Sequence, residues 1–487
     1  MSGSNDNKLT HRKKQGGSKT QDEIIAETES NTYDAKKHPK TPAKPLSEEV
    51  PNLILLTLLY CFQGVPLGLA FGSLPILMKH HFTYTEIGIF TLCSYPFSLK
   101  ILWSPIVDSI FFKSFGRRKT WIVPMQIISG GMLMYLSSSI DHWVTQPQMI
   151  AQITLFFFVL VFIYATQDIA VDGWALTLLS DEHSSLGSTC QSVGQQIGVF
   201  LSYSFLLSMT SVEFCNQYLR TVALDEPVIT VGGYLYAWGV IYVLFTLGLA
   251  FFKDEGRDDE ALDQLTLKVV YQKMFAMARL PAVLRLVAFL LVTKISFIPV
   301  ETSMSLKLVE KGFPDQDLAF IAILMIPFDV FFSIYGGKMS HSQHPLMTFR
   351  KGLIVKLILG FANVGFAYIM PTFKSAEEVE MKWMAGVILL SFVGSMAGNL
   401  MFVSQCAFFI NISDKSIGGT YLTLLNTIAN LGYMWPKVFI FYLIDRFGFT
   451  EICTIFLTVG VLTNPLLAKM TKAIENTPKE QWKCHTQ

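Results

Sequence analysis

Apolar residues in this chain gather into long runs, each closed by charge, proline or glycine. About 20 apolar residues wound as a helix cross the hydrocarbon of a bilayer, whereas a soluble core has no use for so unbroken a stretch. The runs predict helices near 52–78, 86–110, 121–139, 150–174, 187–210 and 230–252. A charged segment from Lys253 to about Leu280 interrupts them, and further helices follow near 282–305, 317–337, 352–370, 384–411, 418–443 and 449–468. The pattern therefore predicts an all-α membrane protein with 12 transmembrane helices in two six-helix halves. Its divisions are a tail at 1–48, a first half at 49–252, a linker at 253–280, a second half at 281–468 and a tail at 469–487. The first tail lacks the apolar residues that would offset chain entropy and is expected to be disordered.

The halves repeat. Adding 231 to a position carries Pro96 onto Pro327, Glu86 onto Asp317, Lys119 onto Arg350, Gly187 onto Gly418, Thr189 onto Thr420 and Ile197 onto Ile428. One shift thus aligns predicted helices 2, 3 and 5 with helices 8, 9 and 11. Duplicated six-helix halves joined by a linker describe the major facilitator fold, in which substrate binds between the halves near mid-membrane. Short loops rich in Lys and Arg stay cytosolic. The basic first tail, the Lys113, Arg117, Arg118, Lys119 loop and the lysines after Lys469 therefore predict that both termini are cytosolic.

Composition agrees with a membrane solvent: 51% of residues are hydrophobic and 15% charged, against about 25% charged in soluble domains. The net charge of +1 carries no message about nucleic acid, and no such partner is expected. Seven cysteines are scattered with no CxxC pair, which argues against a disulfide framework or a metal site. No GxSxG, P-loop, HExxH or GxGxxG stands in a catalytic context, so neither catalytic residues nor a cofactor is expected.

Ionised groups inside a membrane are costly and mark function by default. The predicted helices retain Lys100, Asp168, Asp172, Lys294, Glu301, Asp329 and Lys437. All seven fall on helices that line or flank the central cavity of the facilitator fold, while Lys356 is expected to snorkel to the interface. Asp168 and Asp172 share a helix face, as do Lys294 and Glu301. Two readings stay open: internal salt bridges between the halves, such as an aspartate with Lys294, or a proton or gate aspartate beside lysines that receive an anion. Gln63, Gln167, Gln191, Gln195, Gln196, Asn399, Gln405 and Asn426 add polar groups that bind substrate or join helices, with Gln191 and Gln195 favoured for substrate. Gly64, Pro66, Gly68, Gly72, Pro96, Pro299 and Pro327 are expected hinges. Asp108 with Gly116, Arg117, Arg118 and Lys119 resembles the facilitator signature between helices 2 and 3 with a longer spacer, and a plain topology signal explains the arginines equally well.

The stretch ATQDIAVDGWAL at 165–176, which includes Trp174, resembles the acetyl-coenzyme A transporter family of the major facilitator superfamily. FSLKILWSPIVD at 97–108, the GRRK loop, FQGVPLGL in the first helix and GSTCQSVGQQIG in the fifth extend the likeness over most of residues 50–470. Bacterial muropeptide permeases carry a similar ATQDI pattern. The resemblance implies transport of acetyl-coenzyme A from the cytosol into the lumen of the endoplasmic reticulum, with residence in that membrane. Lys100, Lys294 and Lys437 are then candidate cations for its phosphates, with Arg117, Arg118 and Lys119 at the cytosolic mouth. The residues themselves leave open another bulky anion, such as a nucleotide conjugate, glutathione disulfide or a muropeptide-like solute, or a transport-inactive receptor on the same fold.

Overall fold

The computed structural model describes residues 45–180, 183, 186–255, 267–340, 344–374, 378–412 and 418–482, and among them every regular element is helical. The first tail up to residue 44, the middle of the linker and the last five residues lie outside the described residues. In chain order the first half comprises α1 (Leu46–Lys79), α2 (residues 84–109), α3 (Lys119–Ser137), α4 (Ile150–Leu178), α5 (residues 186–210) and α6 (Val231–Phe252). A linker helix, Leu267–Ala278, leads to α7 (Pro281–Glu310), α8 (Asp315–Ser340), α9 (Pro345–Ile369), α10 (Met381–Ile412), α11 (residues 418–447) and α12 (Phe449–Glu475). Seven of the described helices are long and apolar enough to cross a membrane, and an eighth arises if the bent pair Thr189–Thr210 and Val212–Leu219 is one span. Length and apolarity alone thus reach fewer crossings than the 12 expected.

Apolar side chains that would be buried in a soluble protein stand exposed on Tyr135 of α3, Leu244 and Phe251 of α6, Ile358 of α9, and Leu462 and Leu466 of α12. Hydrocarbon solvates such side chains, as it must on helices that span a bilayer. Inside each half, packing depends on small residues because apolar side chains gain nothing by leaving lipid for protein. A Cβ added to Gly198 on α5 would stand 2.2 Å from the Cys61 carbonyl oxygen of α1, and one added to Gly64 would stand 2.3 Å from the Gln195 carbonyl oxygen. Gly130 and Gly239 bring α3 and α6 together in the same way.

Breaks in the helices have local causes. Pro66 has no N–H, which frees the Phe62 carbonyl one turn earlier, and the Tyr242 hydroxyl of α6 donates to it. A π-helical turn at Leu69–Ser73 follows, matched across the interface by another at Leu201–Phe205, and the Ser202 hydroxyl donates to the Val65 carbonyl at 2.6 Å. α2 is a succession of short α and 3-10 turns around Pro96, and α7 breaks between Thr293 and Ile298, just before Pro299. Pro327 departs from expectation, since α8 runs through it as one helix. An unforeseen break separates Gly418–Met434 from Lys437–Phe447 in α11, at Pro436.

Between the halves, α2 packs along α11 through most of its length. The other seams close at one end. α1 meets α7 through Leu74–Lys79, and α5 meets α8 through residues 201–210. These are the ends away from the Gly116–Lys119 loop, so the cleft widens toward the face that carries that basic loop.

Gly198→Val is expected to destabilise the purified protein by at least about 3 kcal/mol, the upper range for overpacking. Gly131→Val serves as control, because an added Cβ there meets nothing within 4 Å. Thermal unfolding in detergent compares the two, and equal melting temperatures would refute the close α1–α5 approach.

Candidate translocation site

In the first half, α2 and α4 lie side by side and bring Lys100 between two carboxylates. Its ammonium is hydrogen-bonded to Asp168 and stands 3.6 Å from Asp172. Asp172 also accepts from the Tyr60 hydroxyl of α1 at 2.9 Å and from the Gln191 amide of α5 at 3.1 Å. Four helices therefore converge on one acid. Asp168 is buried, whereas Asp172 opens partly to solvent. Gln167 is buried with neither amide atom partnered among the described residues. Gln195 lies one turn beyond Gln191, its carbonyl against Gly64.

Two expectations require correction here. The aspartates pair with Lys100 in their own half and not with Lys294, whose ammonium lies 3.5 Å from the Ala429 carbonyl of α11. Spacing had placed the aspartates on one face of α4 but carried no information about which helix stood opposite. Trp174 is buried among Val107, Ile122 and Leu249 instead of facing the cleft. It follows Asp172 by two residues, about 200° around a helix, and so takes the other side.

In the second half the ammonium of Lys356 pairs with Glu301. This too is a correction: Lys356 sits 11 residues into α9, too deep to snorkel, and turns inward to α7. Sequence reasoning missed this role, although the cost of an ion at that depth was the available signal. Asp329 on α8 accepts from the Ser395 hydroxyl and, at 2.7 Å, from the Asn399 amide, both on α10. Lys437 lies over the Tyr433 ring with its nitrogen 4.4 Å from the centroid. A cavity of about 510 Å³ between α5, α8 and α10 is lined by Gln196, Tyr203, Asp329, Lys356 and Asn399. A second of about 280 Å³ adjoins it and reaches Glu301 and Asn363.

The basic loop is held within its own half. Arg118 pairs with Asp108 at 2.7 Å and lies flat against Gly173 of α4, where a Cβ would stand 2.3 Å from the guanidinium carbon. Arg117 donates to the Asp108 carbonyl at 2.7 Å. Lys119 caps the end of α6 through the carbonyls of Ala250 and Lys253, at 3.0 and 2.8 Å. Glu255, which sequence reasoning passed over, accepts the backbone N–H groups of Arg118 and Lys119 at 2.8 and 2.9 Å and so caps α3.

Polar contacts bridge the halves at the opposite face. Tyr84 donates to Glu310 at 2.7 Å, Lys79 stands 3.5 Å from the same carboxylate, and Thr85 donates to Asp445 at 2.7 Å. His80 pairs with Asp315 at 2.9 Å. The hydrogen bond to Asp315 raises the pKa of His80 above its ordinary 6.5, with burial and Lys79 opposing.

The model of the family described as Acetyl-coenzyme A transporter 1 matches residues 52–265 and 256–479. The chain belongs to this family. An uncharacterized membrane protein of Saccharomyces cerevisiae is 33% identical over 86% of this chain and 87% of its own length. An uncharacterized protein of Schizosaccharomyces pombe is 35% identical over 85% and 78%. The anhydromuropeptide permease of Escherichia coli K12 is 24% identical over 79% of this chain and 72% of its own. Among solved structures, a bacterial homolog of the human lysosomal transporter Spinster, in an inward-facing and unoccupied conformation, superposes with TM-score 0.60 at 13% identity, covering 90% of this chain and all of that one. A D-xylose–proton symporter gives 0.59 at 13% identity over 89% and 98%. The major facilitator fold follows from these superpositions, and this acetyl-coenzyme A transporter family member is a multi-pass membrane transporter.

Two expectations test this geometry. Lys100→Met leaves Asp168 and Asp172 facing each other without a counter-charge, at a cost of about 3–5 kcal/mol, and adding Asp168→Asn should restore most of the lost thermal stability. A Lys100→Met protein as stable as the parent would remove the ion pair from any structural role. Protonated His80 favours closure of the opposite face at pH below 6.5, and that contribution is lost as pH rises through its elevated pKa. Spin-label distances between the α1–α2 and α7–α8 loops should therefore lengthen with pH, and His80→Gln should flatten the profile.

Proposed function

We propose that this transporter moves acetyl-coenzyme A from the cytosol into the lumen of the endoplasmic reticulum by alternating access between its halves. The family match over nearly the whole chain carries the reading. Its chemistry is consistent: acetyl-coenzyme A bears a diphosphate and a ribose phosphate, and Lys100, Lys356 and Lys437 lie in helical turns while Lys294 stands at the break of α7. Lysine receives phosphate as a point charge. On this reading both termini and the Gly116–Lys119 loop are cytosolic, and the cleft that widens toward that loop admits solute from the cytosol. The solute crosses unchanged, with no catalytic step and no cofactor. Separation of the α1–α2 and α7–α8 ends, together with approach at the basic-loop face, completes the cycle. The similarity to the anhydromuropeptide permease favours a second reading, a muropeptide-like solute.

Purified protein in liposomes is expected to take up labelled acetyl-coenzyme A with saturation, and unlabelled coenzyme A should compete. Uptake of an anhydromuropeptide with no uptake of acetyl-coenzyme A would replace the first reading with the second. Endoplasmic reticulum residence is checked by co-fractionation of the tagged chain with lumenal markers.

A further inference from the structure

Lys356 lines both cavities, the larger of which lies between α5 of the first half and α8 and α10 of the second, and among the described residues lining them it is the one cation. Its ammonium end passes alongside α10 at Gly398, where an added Cβ would stand at contact distance, 3.4 Å, from the nitrogen. The ammonium ends on Glu301, which lines the inner cavity. The neighbouring carboxylate, Asp329, is instead satisfied by neutral donors, Ser395 and Asn399. Lys356 is thus held by one carboxylate at the edge of an open cavity, while Asp329 is already occupied.

We propose that Lys356 is the receptor for an anionic group of the solute, a phosphate, and that Glu301 occupies it as an internal stand-in while the cavity is empty. An entering phosphate brings the same charge and acceptor oxygens as the carboxylate, so it exchanges for Glu301 without stripping the lysine of a partner. On this proposal the released Glu301 turns toward Lys294, which stands on the same broken helix and has a backbone carbonyl, that of Ala429, within 3.5 Å. Lys294 sits at the break in α7, one segment away from Glu301. Passing the carboxylate from α9 to the α7–α11 side would couple solute arrival to movement of the broken helix. The proposal rests on the transport of a phosphorylated anion but assigns the anion its contact.

Binding of coenzyme A to the purified full-length protein tests it, measured directly with radiolabelled ligand on the parent, Glu301→Gln and the double variant Glu301→Gln with Lys356→Met. The double variant removes both charges and so avoids a stranded ion. Glu301→Gln should tighten binding several-fold, because the stand-in is gone. The double variant should weaken binding by at least about tenfold, the order carried by one charge-assisted hydrogen bond. A monodisperse double variant that binds coenzyme A like the parent overturns the receptor while leaving acetyl-coenzyme A transport in place. If the parent ignores coenzyme A but binds glutathione disulfide, and the two variants shift that binding as described, the assigned substrate and the phosphate fall while the anion receptor stands. If the parent binds neither, both fall.

Discussion

Hydrocarbon cannot solvate an ion, and the interior of this protein is arranged around that constraint. Burying an unpaired ammonium costs several kcal/mol even after relaxation, so Lys100 must meet Asp168 and Asp172, and Lys356 must meet Glu301. Each pair joins two helices of one half: α2 with α4, and α7 with α9. The halves are thereby stapled internally by charge and packed internally by glycine. The contacts that His80 and Thr85 make between the halves at the far face are exposed. Exposed contacts of that kind contribute little each. The two deep ion pairs thus lie within single halves, while the bonds between the halves include a buried one from the Ser204 hydroxyl of α5 to the Ala319 carbonyl of α8 at 2.9 Å.

The two halves place their buried charges differently. Under the shift of 231, Asp168 corresponds to Asn399, and both reach across to the preceding even-numbered helix, to Lys100 on α2 and to Asp329 on α8. The α2–α4 and α8–α10 bridges therefore join corresponding helices, with the carboxylate on α4 in the first and on α8 in the second. The second half, having spent its amide on Asp329, carries its buried cation on α9 instead. Each half thus sets one ammonium among two carboxylates, Lys100 with Asp168 and Asp172 in the first and Lys356 with Glu301 and Asp329 around the cavities of the second.

Helix irregularity follows the same economy of partners. Pro66 leaves the Phe62 carbonyl without its helical donor, and Tyr242 supplies one from α6. The π turns at Leu69–Ser73 and Leu201–Phe205 face each other where α1 and α5 cross. A proline by itself does not decide the outcome: α8 continues through Pro327, whereas α11 breaks at Pro436.

Much of the architecture was legible in the chain. Apolar run length reports the solvent each segment prefers, a local property, so the helical segments and the ATQDIAVD motif could be read directly. The single face shared by Asp168 and Asp172 was equally local, because helical periodicity sets it. Partnership was not. Whether Asp172 meets Lys100 or Lys294, whether Lys356 snorkels or turns inward, and whether Trp174 faces the cleft all depend on which helices stand side by side and how each is rotated. Those choices are made by contacts between residues far apart in sequence, such as Gly198 on Cys61, and a periodicity along one helix contains no term for them. The sequence by itself determined the solvent, the segments and the cost of each buried charge, and the tertiary structure decided which partner meets that cost.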